Sequence, residues 1–132
     1  MIVDSDRRAL AIRRRDNGHW EPPGGVLELG ETIEDGLRRE VAEETGLAVE
    51  IDHLTGVYKN MSAGVVALVF RCRTTGGDLR TSDETSAFRW MTSAEIQMEM
   101  TEAYAIRLLD ALDDELAVRA HDGVVLVPSR AA

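Results

Sequence analysis

The stretch EPPGGVLELGETIEDGLRREVAEETGL, from Glu21 to Leu47, decides the fold of this chain. It joins a turn of prolines and glycines to a segment with helical periodicity. Thr32 is a typical helix cap and Gly46 a typical helix stop, so the sequence predicts a helix over about 33–45. That helix stands directly after the proline-glycine turn, which places its first turn beside a stiff loop.

An apolar stripe and an acidic stripe lie side by side on the predicted helix. The apolar stripe consists of three residues spaced by four: Ile33, Leu37 and Val41. At 100° per residue, the carboxylates of Glu40, Glu43 and Glu44 fall within an arc of about 100° that borders this stripe. The plain alternative is a solvated charged face, but such a face usually lies opposite the buried stripe.

The acidic stripe needs a positive charge. Like charges one helical turn apart repel by roughly 0.2–0.5 kcal/mol per pair, and convergence at a partly buried place costs more. Arg39 is the only basic residue near the edge of the stripe. A hard divalent cation such as Mg²⁺ prefers oxygen ligands and shares its shell with water and phosphate. Gly24 and Gly25 let the preceding loop approach a bound ligand closely.

The same residues carry a longer pattern, which resembles the Nudix box of the MutT-like enzymes. The pattern is a glycine, five residues, a glutamate, seven residues, arginine-glutamate, an aliphatic residue, one residue, two glutamates, one residue, a glycine and an aliphatic residue. Residues 25–47 fill every fixed place: Gly25, Glu31, Arg39, Glu40, Val41, Glu43, Glu44, Gly46 and Leu47. At average residue usage, a chance match in a chain this long has a probability of roughly 10⁻⁷.

The rest of the chain predicts strands around this helix. Alternating apolar residues predict strands over 7–14, about 48–59, 64–73 and 86–91. A second amphipathic helix is predicted over about 101–117, and its inward residues are Ala105, Leu108, Leu109, Leu112 and Leu116. Strands with helices between and after them predict an α/β fold with a mixed sheet. The resemblance implies an α/β/α sandwich, and we expect one Nudix domain over 1–132.

The resemblance also implies a mechanism. Nudix enzymes hydrolyse a diphosphate linkage within a nucleoside diphosphate joined to a further group. Carried over to this chain, Glu40, Glu43 and Glu44 bind Mg²⁺, or Mn²⁺ as a substitute. Arg39 pairs with Glu31 or Glu43, and either Glu43 or Glu40 is the general base. A non-hydrolytic module that senses nucleotides or binds proteins is the alternative function.

Five residues outside the helix complete the predicted site. Glu84 is a further metal ligand or the base, against the alternative of a solvated loop acid. Arg14 binds a substrate phosphate, which suits its planar guanidinium, or is simply a solvated strand end. Trp20 stacks on a base or ribose, or packs against the core. Gly24 and Gly25 form the substrate-binding loop.

Composition limits the partners and the compartment. A net charge of −9 argues against binding to a nucleic-acid polymer, because phosphate contacts need clustered basic residues. No apolar run reaches the roughly 20 residues of a membrane span. The N-terminus has no apolar signal segment, and Cys72 is the only cysteine. We therefore expect a cytoplasmic protein with a small nucleotide-type substrate and no membrane partner.

Two strand segments lack an evident partner. Only MIVD (1–4) precedes the first turn, and the apolar segment GVVLVP (123–128) has no obvious neighbour within the chain. Exposed strand edges favour pairing with another chain, so we expect a homodimer. The alternative is that the terminal segment folds back beside the first strand of its own chain.

Overall fold

Seven strands and three helices make up residues 1–128, the part of the chain that the computed structural model describes. In chain order they are β1 (Ala9–Arg14), β2 (Trp20–Glu21), α1 (Ile33–Thr45), β3 (Leu47–Asn60), β4 (Val65–Gly77), β5 (Thr85–Met91), α2 (Ser93–Glu99), α3 (Glu102–Ala111), β6 (Ala117–His121) and β7 (Leu126–Val127). The strands form two sheets. One has the order β2-β1-β5 and is antiparallel; the other has the order β4-β3-β6-β7 and is mixed, because β3 and β6 run parallel.

Helices cover both faces of the central strand β1. Ala9 and Ala11 pack into a cluster that contains Leu108 of α3, whereas Leu10 packs into a second cluster with Val41 of α1. Fully burying a leucine side chain stabilises the fold by about 1.5–3 kcal/mol. Because β1 is buried on both faces, its residues 9–12 are all apolar. The predicted α/β fold with a mixed sheet is confirmed.

Helix α1 begins and ends at the residues that its caps dictate. The hydroxyl of Thr32 accepts a hydrogen bond from the Asp35 backbone N–H at 3.1 Å, and Gly46 adopts a left-handed conformation with φ of 80°. Gly46 donates its N–H to the Ala42 carbonyl, which closes the last turn. The helix predicted over 33–45 is confirmed. Ile33, expected in the core stripe, is instead 40% exposed.

The predicted C-terminal helix over 101–117 is too long. Helix α3 ends at Ala111, and Leu116, expected to point inward, is 56% exposed. The acidic run that follows Leu112 is unfavourable at a helix C-terminus, where the helix dipole is negative. Residues 117–121 then form β6, a strand that the sequence reading missed.

The terminal apolar segment finds its partner inside the chain. Leu126–Val127 (β7) pairs with β6, in which His121 lies opposite Leu126. The expectation of an unpaired terminal strand is therefore wrong, and so is its alternative, because β6 rather than the first strand is the neighbour. The prediction failed because the partner strand, β6, was not among the strands that the sequence predicted.

The short N-terminal segment joins the two sheets. Ile2 bridges to Cys72 of β4, and Val3 bridges to Ala9 of β1. The backbone N–H of Leu10 donates to the Ile2 carbonyl at 2.9 Å, so both sheets are fastened to this segment. Cys72 is buried as a result, at 1% exposure. No helix within residues 1–128 is long and apolar enough to cross a membrane.

Candidate active site

An acidic cleft of about 470 Å³ opens where the end of β1, the loop before α1, one face of α1 and the loop before β5 meet. Its lining consists of Ile12, Arg14, Asp16, Glu21, Pro22, Gly24, Gly25, Glu40, Glu43, Glu44, Asp83 and Glu84. Seven of these twelve side chains are carboxylic acids and one is basic. The fold thus gathers acid from segments far apart in the sequence.

Glu44 lies at the buried end of the acid cluster. Its carboxylate accepts a hydrogen bond from the Gly24 backbone N–H at 2.9 Å, and the residue is 9% exposed. Burial, together with the neighbouring charges of Glu40 and Glu84, raises the pKa of Glu44 to about 7 against the opposing effects of the Gly24 N–H and of Arg14. The cleft therefore holds more negative charge than its own cation balances.

Arg39 orients three glutamates at once. Its Nε and Nη2 donate to the two oxygens of Glu31 at 3.0 and 2.8 Å, which is a bidentate pair. Its Nη1 donates to Glu40 at 2.9 Å and to Glu43 at 3.2 Å. Arg39 and the backbone N–H of Glu28 together lower the pKa of Glu31 to about 2. Both partners left open for Arg39 by the sequence, Glu31 and Glu43, are present.

Gly25 has no room for a side chain. A Cβ built there would lie 2.1 Å from the Glu40 carboxyl carbon. At Gly36, a Cβ would lie 2.3 Å from the Leu27 side chain and 2.9 Å from a Glu31 oxygen. The loop therefore lies directly on α1 because both contact positions are glycine. By contrast, a Cβ at Gly24 would meet nothing within 4 Å.

Arg14 is the one of the three consecutive arginines that lines the cleft. Its guanidinium pairs with Asp16 at 2.6 Å and with Glu21 at 3.4 Å, and these carboxylates raise its pKa. Arg13 and Arg15 instead donate to backbone carbonyls outside the acid cluster. Arg14 is therefore a guanidinium at the mouth of the cleft, where a phosphate would compete with two carboxylates for it.

The two remaining predicted residues have different surroundings. Glu84 lines the cleft, and its loop is fastened to β1 because the Arg15 N–H donates to the Glu84 carbonyl at 2.9 Å. The Trp20 side chain is half-buried and packs against the core cluster that contains Tyr58 and Leu108. That placement corresponds to the packing alternative, and it gives no support to stacking on a base.

The sequence reading missed three further acids of the cleft: Asp16, Glu21 and Asp83. Each lies in a turn or at a strand end, where no periodic pattern marks it. Asp16 belongs to a turn after β1, and Asp83 precedes β5 by two residues. Only the association of the β2-β1-β5 sheet with α1 brings them to the same cleft.

A second, apolar pocket of about 520 Å³ adjoins the cleft. Its walls come from residues 65–70 of β4, from the loop before α1, and from Tyr104 and Arg107 of α3. The two cavities share Glu21, Pro22, Gly24, Gly25 and Glu40. Ile33, an apolar residue of α1 that is 40% exposed, lines this pocket. Its place in the pocket wall explains why an apolar side chain lies outside the core.

The donor set suits a hard divalent cation. Carboxylate oxygens dominate the cleft, and a buried glutamate beside two others needs a neutralising charge. Within residues 1–128, no three of the acids lie close enough together to form a preformed metal site. Both Glu40 and Glu43 instead accept hydrogen bonds from Arg39. Each carboxylate has a second oxygen, so Glu40, Glu43 and Glu44 would hold the ion once their side chains turned toward it, and Glu84 lines the same cleft.

Comparison with known proteins agrees with this site. A family model described as the NUDIX domain matches residues 1–112. The chain belongs to the Nudix family. A MutT-like protein of Streptomyces ambofaciens is 60% identical over 130 residues, which are 98% of this chain and 84% of that protein. An ADP-ribose pyrophosphatase of Methanocaldococcus jannaschii is 37% identical over 90 residues, covering 63% of this chain and 53% of that protein.

Solved structures of Nudix proteins show the same fold. A Nudix hydrolase from Nitrosomonas europaea has a TM-score of 0.77 at 23% identity, covering 91% of this chain and 76% of that one. An ADP-ribose pyrophosphatase from Streptococcus suis has a TM-score of 0.75 at 23% identity, covering 89% and 92%. The predictions of the family, of the α/β fold and of a hydrolase acting on a phosphorus anhydride are confirmed. Nudix hydrolases generally need a divalent metal ion.

Proposed function

We propose that the acidic cleft cleaves the diphosphate linkage of a nucleoside di- or triphosphate derivative by attack of water at phosphorus. The observation that carries this proposal is the convergence of Glu40, Glu43 and Glu44 with Glu84 on one cleft that continues into an apolar pocket. Such a shape suits a substrate with a charged diphosphate and a flat apolar end. Names of relatives support this class, since they include an ADP-ribose pyrophosphatase and a human 8-oxo-dGDP phosphatase.

The metal in this proposal is Mg²⁺, with Mn²⁺ as a substitute, held by Glu40, Glu43, Glu44 and Glu84. When bound, it would offset the charge of the diphosphate and acidify a coordinated water. Arg39 holds two of these glutamates, Glu40 and Glu43, in place through hydrogen bonds from its Nη1. Arg14 would exchange its carboxylate partners for a substrate phosphate, to which its guanidinium offers two parallel donors.

Glu43 and Glu40 are the candidates for the general base. Each has one oxygen bonded to Arg39, which leaves the other to take the proton of the attacking water. The side chain of Glu43 is 61% exposed and that of Glu40 is 18% exposed, so water reaches Glu43 more freely. Glutamine variants of the two residues, measured for kcat at saturating metal, separate the base from a pure metal ligand.

A substrate panel tests the proposed function. The purified protein is incubated with Mg²⁺ or Mn²⁺ and nucleoside triphosphates, oxidised nucleotides, ADP-ribose, nucleotide sugars and dinucleoside polyphosphates. We expect release of a nucleoside monophosphate and a second phosphorylated product from at least one class. Absence of turnover with every member and both metals would contradict the proposal. Tight binding without cleavage would support the non-hydrolytic alternative.

The homodimer, the cytoplasmic location and the exclusion of nucleic-acid polymers and membranes stay predictions from the sequence. The two segments that motivated the dimer, 1–4 and 123–128, both pair within the chain. Light scattering at micromolar concentration tests the dimer, and a monomer mass unchanged by metal or nucleotide would contradict it.

A further inference from the structure

Arg107 places an unpaired guanidinium in the wall of the apolar pocket. The residue lies on α3 and lines the pocket beside Tyr104. Its Nε is buried without a hydrogen-bond partner. Among the ion pairs of residues 1–128, none involves Arg107, whereas Arg14, the other arginine that lines these two cavities, is paired with carboxylates. A buried donor without an acceptor costs about 1–3 kcal/mol, so this one calls for an explanation.

The hydrogen-bonding neighbour of the guanidinium within residues 1–128, His121, does not supply a clear acceptor. Nη2 of Arg107 lies 3.2 Å from Nε2 of His121. The other ring nitrogen, Nδ1, accepts the Gly123 backbone N–H at 2.9 Å. A neutral imidazole has one N–H, so a ring that accepts at Nδ1 carries its proton at Nε2, facing the guanidinium. With the opposite tautomer, Nδ1–H faces the Gly123 N–H instead. With either tautomer, one N–H among those of Arg107, His121 and Gly123 has no acceptor.

The guanidinium is held in place by faces of aromatic rings rather than by acceptors. Its central carbon lies 5.5 Å from the ring centre of Tyr58 and 5.6 Å from that of Tyr104. Such cation–π contacts act on the face of a guanidinium and leave its in-plane N–H groups free. The Tyr58 hydroxyl donates to Asp110 at 2.7 Å, so its own proton is already engaged. The guanidinium of Arg107 is therefore held in the wall of the apolar pocket, and its Nε–H has no acceptor.

We propose that Arg107 donates to a carbonyl oxygen of the substrate's nucleobase and so determines base specificity. This inference rests on the proposed function, since it takes the diphosphate to lie in the adjoining cleft. The apolar walls formed by residues 65–70 suit a flat ring. A carbonyl oxygen has two lone pairs and can accept from two guanidinium N–H groups, whereas each ring nitrogen of adenine has one. Bases with carbonyl groups, such as guanine, oxidised guanine and uracil, are therefore preferred over adenine.

The test compares Arg107→Met with Arg73→Met, a control on an exposed arginine of β4 that pairs with Glu50. The kcat/KM values for dGTP, 8-oxo-dGTP, UTP and dATP are measured with saturating metal. For Arg107→Met, we expect the ratio of kcat/KM for dGTP to that for dATP to fall by about 10- to 100-fold, the effect of losing a hydrogen bond to a charged group. Arg107→Lys restores part of the ratio, because it keeps one charged donor. Arg73→Met leaves the ratio unchanged.

Each outcome decides the inference separately from the proposed function. If the wild type is active and Arg107→Met lowers kcat/KM equally for all four nucleotides, or for none, the inference is wrong. An equal loss together with a lower melting temperature assigns Arg107 a purely structural role. If the wild type turns over nothing, the proposed function fails, and calorimetric binding of GMP and AMP to the metal-free protein replaces the rate measurement. Tighter binding of GMP that Arg107→Met abolishes then supports the inference, and equal binding overturns it.

Discussion

Replacing Glu44 by glutamine is expected to stabilise the metal-free protein, and to do so only at neutral to alkaline pH. Burial, followed by the charges of Glu40 and Glu84, raises the pKa of Glu44 from 4.5 to about 7. A carboxyl group whose pKa is higher in the folded state favours folding when it is protonated. Its contribution is therefore complete below the unfolded pKa of 4.5 and is lost as the pH rises through about 7.

The size of the effect follows from the pKa difference. At about 1.36 kcal/mol per pKa unit, the change from 4.5 to about 7 corresponds to about 3 kcal/mol. Because Glu44 titrates together with the neighbouring carboxylates, part of this free energy belongs to them. We therefore expect Glu44→Gln to raise the free energy of unfolding at pH 8 by about 2–3 kcal/mol. At pH 4.5 the variant and the wild type should differ little. The glutamine carbonyl still accepts the Gly24 N–H, so the local geometry is preserved.

Urea unfolding in the presence of a chelator measures this effect at pH 4.5 and pH 8. Glu34→Gln is the matched control, since Glu34 lies exposed in the first turn of the same helix. Millimolar Mg²⁺ should then stabilise the wild type and the control but much less the Glu44 variant, because a metal that binds only the folded state adds RT ln(1 + [L]/Kd). A Glu44→Gln effect of equal size at both pH values, or destabilisation at pH 8, would refute the reasoning.

Three further predictions concern the base, the glycine loop beside it, and the buried carboxylate of Asp110. Whichever of Glu40 and Glu43 is the general base, its glutamine variant should lower kcat by about 100-fold or more at saturating metal while the melting temperature is kept or slightly raised, since general acid–base catalysis contributes about 10²–10⁴-fold; near-wild-type rates for both variants would show that the assignment is wrong. Gly25→Ala should weaken metal binding, measured by calorimetry, because its Cβ would lie 2.1 Å from the Glu40 carboxyl carbon, and Gly24→Ala, whose Cβ would meet nothing within 4 Å, should have a smaller effect. Asp110→Asn should lower the free energy of unfolding by about 3–5 kcal/mol, because the buried carboxylate accepts three hydrogen bonds and neutralises a guanidinium; a loss below about 1 kcal/mol in urea unfolding would contradict this.

The sequence by itself determined helix α1 and its chemistry. The bounds 33–45 depend on Thr32 and Gly46, whose cap interactions reach no further than four residues along the chain. The acidic stripe depends on helical periodicity, which is equally local. Such short-range rules are readable because neighbours in sequence remain neighbours in space.

The tertiary structure alone decided the rest of the site. Asp83 reaches the cleft because β5 pairs with β1, and no pattern in the neighbouring sequence predicts that contact. Strand β6 was missed for a similar reason, because residues 117–121 pair in parallel with β3, a strand far away in the sequence. The unfilled donor of Arg107 likewise exists only where α3, β3 and β6 meet. Contacts between residues far apart in the chain depend on the packing of whole elements, and a local sequence pattern carries no record of that packing.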